Sequence, residues 1–132
     1  MKTIKGSFEV KSTPLPADEV SQATGAMRMR FDKTFSGPFA ATGVVSMMGI
    51  LNGSSGGYVA IEKITGSIEG RSGSFCFQHS CTMDAGAQKQ TIEVIPGTGN
   101  GELTNLKGEM TIEIVNGQHF YTFNYSIESG IL

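Results

Sequence analysis

Apolar and polar residues alternate with a period of two along almost the whole chain, and helical periodicity is nearly absent. Ile4, Gly6, Phe8 and Val10 share one face of a first predicted strand, with Lys5, Ser7 and Glu9 on the other. Lys11 to Thr24 is polar and carries Pro14 and Pro16, which predicts a connector with room for one helical turn at Pro16–Val20. A second strand sets Met27, Met29, Phe31, Lys33 and Phe35 against Arg28, Arg30, Asp32 and Thr34, and Gly37-Pro38 turns the chain. The third strand is Phe39–Met48, and Asn52–Gly57 reads as a flexible loop. The fourth is Tyr58–Ile68, and the fifth, after a break at Gly70, is Arg71–Met83. Asp84–Ala87 turns into a sixth strand, Gln90–Ile95, followed by a glycine-rich turn at Pro96–Gly101. A seventh strand, Leu106–Val115, meets an eighth, His119–Ile127, across the hairpin signal Asn116-Gly117.

No predicted helix is long enough for a parallel crossover, so the sheet is expected to be antiparallel. Eight strands with no obviously charged edge predict closure into a barrel, which removes unpaired edges. The expected fold is therefore all-β, a single eight-stranded antiparallel β-barrel covering residues 1–132. A barrel of that size is either filled by its own side chains or holds one small ligand. Gly43, Gly66, Gly73 and Gly108 inside strands mark bends or close approaches of other groups. Val59 and Ile61 make the second face of the fourth strand apolar as well, which leads us to expect a homo-oligomer, with a dimer favoured.

Composition narrows the function classes. A chain of 132 residues is long enough to bury a core without disulfide or metal. Eighteen glycines, about twice the usual ~7%, suit a turn-rich β protein. A net charge of −2 gives no basic footprint for nucleic acid or anionic membrane. No apolar run approaches the roughly 20 residues of a membrane span, and Met1–Phe8 lacks the apolar stretch of a signal peptide. Cys76 and Cys81 lie five residues apart in one predicted strand. That spacing puts them about 16 Å apart on opposite faces, too far for a disulfide. Two free thiols lead us to expect a cytoplasmic protein.

Two segments carry a resemblance to a known family. One is Tyr58-Val59-Ala60-Ile61-Glu62-Lys63 with Gly66-Ser67-Ile68-Glu69-Gly70-Arg71-Ser72-Gly73-Ser74-Phe75 and Gln78-His79. The other is Val94-Ile95-Pro96-Gly97-Thr98-Gly99-Asn100-Gly101-Glu102-Leu103 with Gly108 and His119-Phe120-Tyr121. Gly6–Val10 and Lys33–Gly37 fit as well, so the likeness spans nearly the whole chain. Together they resemble the bacterial family known as domain of unknown function 3224. The resemblance implies a barrel similar to that of plant allene oxide cyclase. It implies no activity, because a shared barrel does not carry function.

Several residues could carry chemistry. His79 shares a strand face with Arg71, Phe75, Phe77 and Cys81, and Glu62 interrupts the face of Tyr58, Ala60 and Ile64. Charged groups on a phenylalanine face need partners. Glu62, Arg71 and His79 are thus candidates for a polar cluster inside the barrel, serving acid–base chemistry or simply an ion pair that fixes the barrel end. The alternation does not decide which face of Glu62's strand is interior. His119, Tyr121, Phe123, Tyr125 and Ile127 form an aromatic stripe, which fits either a ligand-pocket wall or plain core. A two-histidine, one-carboxylate metal site from His79, His119 and Glu62 or Glu102 is conceivable, but no His-x-His or Cys-x-x-Cys spacing supports it. Pro96–Glu102 lacks the Lys-Ser/Thr and helix of a phosphate loop. No cofactor motif and no metal site is assigned, and no nucleophile constellation stands out.

The leading functional expectation is binding of a small apolar or amphipathic molecule. Its cavity would be lined by Tyr58, Phe75, Phe77, Tyr121, Phe123 and Tyr125, with Glu62, Arg71, His79 and His119 as polar groups. The alternatives are an isomerase or cyclase using Glu62 or His79 beside Arg71, and a structural oligomerisation module.

Overall fold

Eight of the strands pair antiparallel and close on themselves. In a computed structural model describing residues 1–128, the elements are β1 (Lys2–Pro14), α1 (Glu19–Thr24), β2 (Met27–Ser36), β3 (Phe39–Asn52), β4 (Ser55–Ile68), β5 (Arg71–Asp84), β6 (Ala87–Val94), β7 (Asn100–Gly101), β8 (Leu106–Val115) and β9 (Gln118–Ile127). Residues 129–132, part of the expected single domain, lie outside the described residues. The barrel runs β1-β2-β3-β4-β5-β6-β8-β9 and returns to β1. The predicted all-β, eight-stranded antiparallel barrel is thus present, with β7 as an extra two-residue strand.

The sequence reading needs four local corrections. β1 continues to Pro14, where a connector was expected, because Thr13 and Pro14 still pair with Arg30 and Met29. A proline is tolerated at a strand end, where its missing N–H breaks no ladder. The expected turn at Pro16–Val20 is instead a helix over Glu19–Thr24. Asp18 caps it by accepting from the Ser21 N–H at 2.8 Å, and Gly25 ends it at φ 76°. The expected Asn52–Gly57 loop is a tight hairpin, with Asn52 still paired to Ser55.

The glycine-rich Pro96–Gly101 turn is the fourth. β6 pairs with β5 only from Phe77 to Asp84, which leaves the start of β5 without a partner on that side. The turn supplies one. The side chains of Thr98, Asn100 and Glu102 accept from the N–H groups of Cys76, Ser74 and Ser72 at 3.0, 3.0 and 3.1 Å. Backbone donors left without a strand partner are satisfied this way. The same segment seats the wholly buried Leu103 in the core.

Inward-facing aromatics fill that half of the barrel. Phe35, Phe39, Phe75, Phe77, Tyr121 and Phe123 pack with ring centroids 4.7 to 6.2 Å apart. The Tyr121 hydroxyl donates to the Ser36 carbonyl at 2.8 Å and accepts from the Phe39 N–H at 3.2 Å, so its polar end is satisfied inside the core. The other half holds a smaller cluster of Val45, Met47 and Ala60. The second apolar face of the fourth strand is real: Met48, Val59 and Ile61 are exposed on the outside, Met48 opposite Val59. Among the described residues, no helix is long and apolar enough to cross a membrane.

All three tyrosines have their phenol pKa raised. Burial does most of this at Tyr58 and Tyr121, and at Tyr125 burial together with the Glu69 carboxylate pushes it up to about 12. A raised phenol pKa means the fold favours the neutral form. That contribution is intact below the ordinary value of 10.0 and is lost as pH climbs through the folded values. We expect little tyrosinate absorbance at pH 10.0 while circular dichroism still reports folded protein. Half-complete ionisation there, with the fold intact, would contradict the buried placement.

Candidate functional site

Four adjacent strands bring a buried polar cluster together. Lys33 on β2 is paired with Gly43 on β3. Glu62 on β4 is paired with Val45, next along the inner face from Gly43, and with Phe77 on β5. His79 follows Phe77 on the same inner face. Period-two alternation turns Lys33, Glu62 and His79 inward, at 8%, 1% and 4% exposure. This decides the face that the sequence left open: Glu62 points into the barrel.

One carboxylate oxygen holds the cluster. Glu62 Oε1 accepts from His79 Nε2 at 2.7 Å and from Lys33 Nζ at 3.4 Å. A carboxylate only accepts, so it fixes the proton on Nε2 of the imidazole. Lys33 Nζ also lies 5.2 Å from the ring centre of Phe8 and 5.8 Å from that of Phe35, where aromatic faces help to hold a cation. The second oxygen, Glu62 Oε2, is sealed from solvent. Among the described residues it is the one such side-chain N or O atom with no hydrogen-bond partner. It lies against Gly43, where a Cβ would sit 2.3 Å from it. The glycine gives the carboxylate its room.

An open-ended cavity of about 460 Å³ lies over this cluster. All eight barrel strands contribute to its wall. Phe8, Val10, Phe31, Val45, Met47 and Ile112 make much of it apolar. Lys33 and His79 reach it from the cluster, and Tyr58, Gln88, Gln90 and His119 bring further polar groups. Gln90 donates to the Tyr58 hydroxyl at 2.8 Å, and the His119 ring packs 5.2 Å from that of Phe8.

The structure sorts the expected site residues into three groups. Glu62 and His79 are brought together, and Tyr58 and His119 border the same cavity. Phe75, Phe77, Tyr121 and Phe123 do not line it; they are consumed in the packed core, where they fill the barrel against one another. Arg71 is not Glu62's partner. It is exposed at the start of β5, in a separate recess with Glu69 and Tyr125. There the Tyr125 hydroxyl donates to Glu69, and Lys2 pairs with the same carboxylate at 3.3 Å. These contacts hold the Glu69 carboxyl below the usual range, the Tyr125 hydrogen bond first and Lys2 next. No group of three or more His, Cys, Asp or Glu among the described residues is placed to hold a metal ion, so the considered triad of His79, His119 and a carboxylate does not assemble.

Lys33 is the member that sequence reasoning passed over. Its signal was visible as a lysine at an apolar position between Phe31 and Phe35.

A family model described as "Protein of unknown function (DUF3224)" matches residues 4–125. A solved structure, a protein with unknown function from the DUF3224 family from Shewanella oneidensis MR-1, is 41% identical with a TM-score of 0.89, over 98% of this chain and 99% of that one. No curated protein matches the chain.

Proposed function

The chain belongs to the DUF3224 family, and for its barrel we propose the binding of one small, largely apolar molecule whose oxygen-bearing head meets Lys33, beside His79. One observation carries this reading: an apolar cavity of about 460 Å³ ends on a buried cluster of ionisable groups. That volume lies within the roughly 300–1,000 Å³ of small-molecule sites, which join an apolar wall to a few placed polar groups. A core made only for stability has no use for such a cluster, because desolvating charges costs as much as pairing returns. Lys33 has three N–H donors, and Glu62 takes one of them. The others are available to a ligand oxygen. The two thiols, half-buried Cys76 and buried Cys81, are both free, which supports a reducing compartment for this activity.

Anilinonaphthalene sulfonate tests the reading, since it joins an apolar ring body to an anionic head. Its fluorescence should rise saturably on binding to the folded protein. Lys33→Met should weaken that binding roughly tenfold, the value of a lost charge-assisted hydrogen bond. Met47→Trp, which fills the cavity, should abolish it. Binding that ignores both substitutions would place the dye elsewhere and overturn the proposal.

A further inference from the structure

The polar cluster is arranged for more than holding a ligand. Glu62 Oε1 takes the proton-bearing Nε2 of His79, so the neutral ring keeps its lone pair on Nδ1. His79 lines the cavity. Nδ1 is not a sealed atom, because the single sealed side-chain N or O without a partner among the described residues is Glu62 Oε2. Lys33 lines the same cavity, on a side chain tied to the same carboxylate oxygen, which takes one of its three N–H donors. A base and a cationic donor thus stand side by side, fixed by one shared anchor, in a mostly apolar chamber. That pairing fits proton abstraction next to a carbonyl. The base takes the C–H proton while the donor holds the oxygen on which charge develops.

We infer that the barrel catalyses proton transfer at the carbon next to the carbonyl of a small apolar ketone, with His79 as the base and Lys33 as the group that stabilises the enolate. This rests on the reading of the cavity as a ligand site. His79 Nδ1 accepts the α-proton, and the electron pair of the C–H bond becomes a carbon–carbon double bond. The carbonyl π pair moves onto oxygen, where Lys33 donates to it. The Nδ1 proton then either exchanges with solvent before a hydron returns to the same carbon, giving isotope exchange, or passes to a conjugated carbon, giving a double-bond isomer. Every atom and electron is accounted for, and no oxidant, reductant or second substrate is needed. Glu62 does not touch the substrate. It is a positioning residue, holding the imidazole proton on Nε2 and the lysine in reach.

The test uses β-tetralone, an apolar ketone with acidic hydrogens between carbonyl and ring, incubated with the full chain in heavy water and followed by proton NMR, with a chiral solvating agent to separate the signals of the two monodeuterated enantiomers. Saturation-transfer signals report whether it binds. We expect binding, and exchange at least tenfold faster than in buffer. We also expect exchange to pass through a product carrying a single deuterium at that carbon in one enantiomeric form. A base fixed on one side of the cavity reaches one of two enantiotopic hydrogens, whereas buffer removes either. His79→Gln should keep the binding signal and lose the acceleration, and Lys33→Met should slow exchange. Glu62→Gln should slow exchange and also erase the preference for one hydrogen, which loss of stability alone would not do. The stereochemical readout needs only the unaltered protein, so a variant that fails to fold leaves the inference testable. Binding without acceleration, or acceleration without stereochemical preference, overturns the proton-transfer inference and leaves the binding site standing. Absence of binding overturns both.

Discussion

Replacing Glu62 by Leu should destabilise the protein by about 3 kcal/mol, and adding Lys33→Met should restore most of the loss. Glu62→Leu removes the acceptor of both His79 and Lys33 and leaves an ammonium group at 8% exposure against the rings of Phe8 and Phe35. Breaking a buried pair from one side costs about 3–5 kcal/mol. The lower end applies because Lys33 borders an open cavity through which water reaches it. For a domain of this length that corresponds to a fall in Tm of roughly 10 °C. Lys33→Met in the Glu62→Leu background removes the stranded cation and gives the apolar wall a side chain of similar length. The double variant should lie within about 1 kcal/mol of the original, the remainder being the hydrogen bond His79 no longer makes. Urea unfolding of both single variants and the double variant measures this directly, with similar denaturant slopes expected throughout. Additive losses would mean that Lys33 and Glu62 do not depend on each other, and the cluster would lose its meaning as a unit.

This non-additivity also separates a functional cluster from a structural one. If the apolar pair is as stable as the charged one, stability does not explain why the charges are present. Loss of dye binding or of tetralone exchange in a fully folded double variant then assigns them to the cavity's work.

How much of this the sequence disclosed follows from the range of each interaction. Alternation is local, so the eight barrel strands could be read from residues such as Met29, Phe31, Lys33 and Phe35 alone, while β7 read as turn. Closure followed from the lack of helices and charged edges. The Asn52–Gly57 hairpin was obscured because glycines and serines that pair as strand look like loop. The latch at Thr98, Asn100 and Glu102 depends on where β6 leaves β5, and no local pattern reports that. The pairing of Glu62 with His79 was within reach, since an antiparallel hairpin from Ile68 to Arg71 puts Glu62 beside Phe77 and Ala60 beside His79. Arg71 was drawn in by the same strand face, yet alternation fixes a side and not a height. It lies at one end of β5, well along the strand from His79. The aromatic stripe was legible as inward-facing but not as packed, because filling depends on how rings from β2, β3, β5 and β9 meet. Lys33 was missed because an isolated lysine on an apolar face shows nothing of a partner two strands away.

Gly43 was marked by sequence as a close approach, and it carries the second large effect. Gly43→Ala should cost at least the about 1–3 kcal/mol of an overpacked core. A Cβ there would lie 2.3 Å from Glu62 Oε2 and 3.0 Å from Ile64 Cδ1. An exposed carboxylate would swing away at little cost. Glu62 cannot do so freely, because its other oxygen is held by His79 at 2.7 Å and Lys33 at 3.4 Å and the side chain is 1% exposed. Moving Oε2 therefore strains or breaks the contacts at Oε1, and the loss rises toward that of the broken pair. The signature is coupling. In a Glu62→Ala background the added methyl meets only the flexible end of Ile64, which can shift, so Gly43→Ala should then cost less than about 1 kcal/mol. Denaturant unfolding of the four proteins in this cycle measures the difference. An equal cost in both backgrounds would mean that the methyl's conflict lies with Ile64 or the backbone, and that Gly43 is not what makes room for the carboxylate. A large coupling would tie a residue that touches no ligand to the placement of His79, since the carboxylate it admits is the group that sets the imidazole's proton.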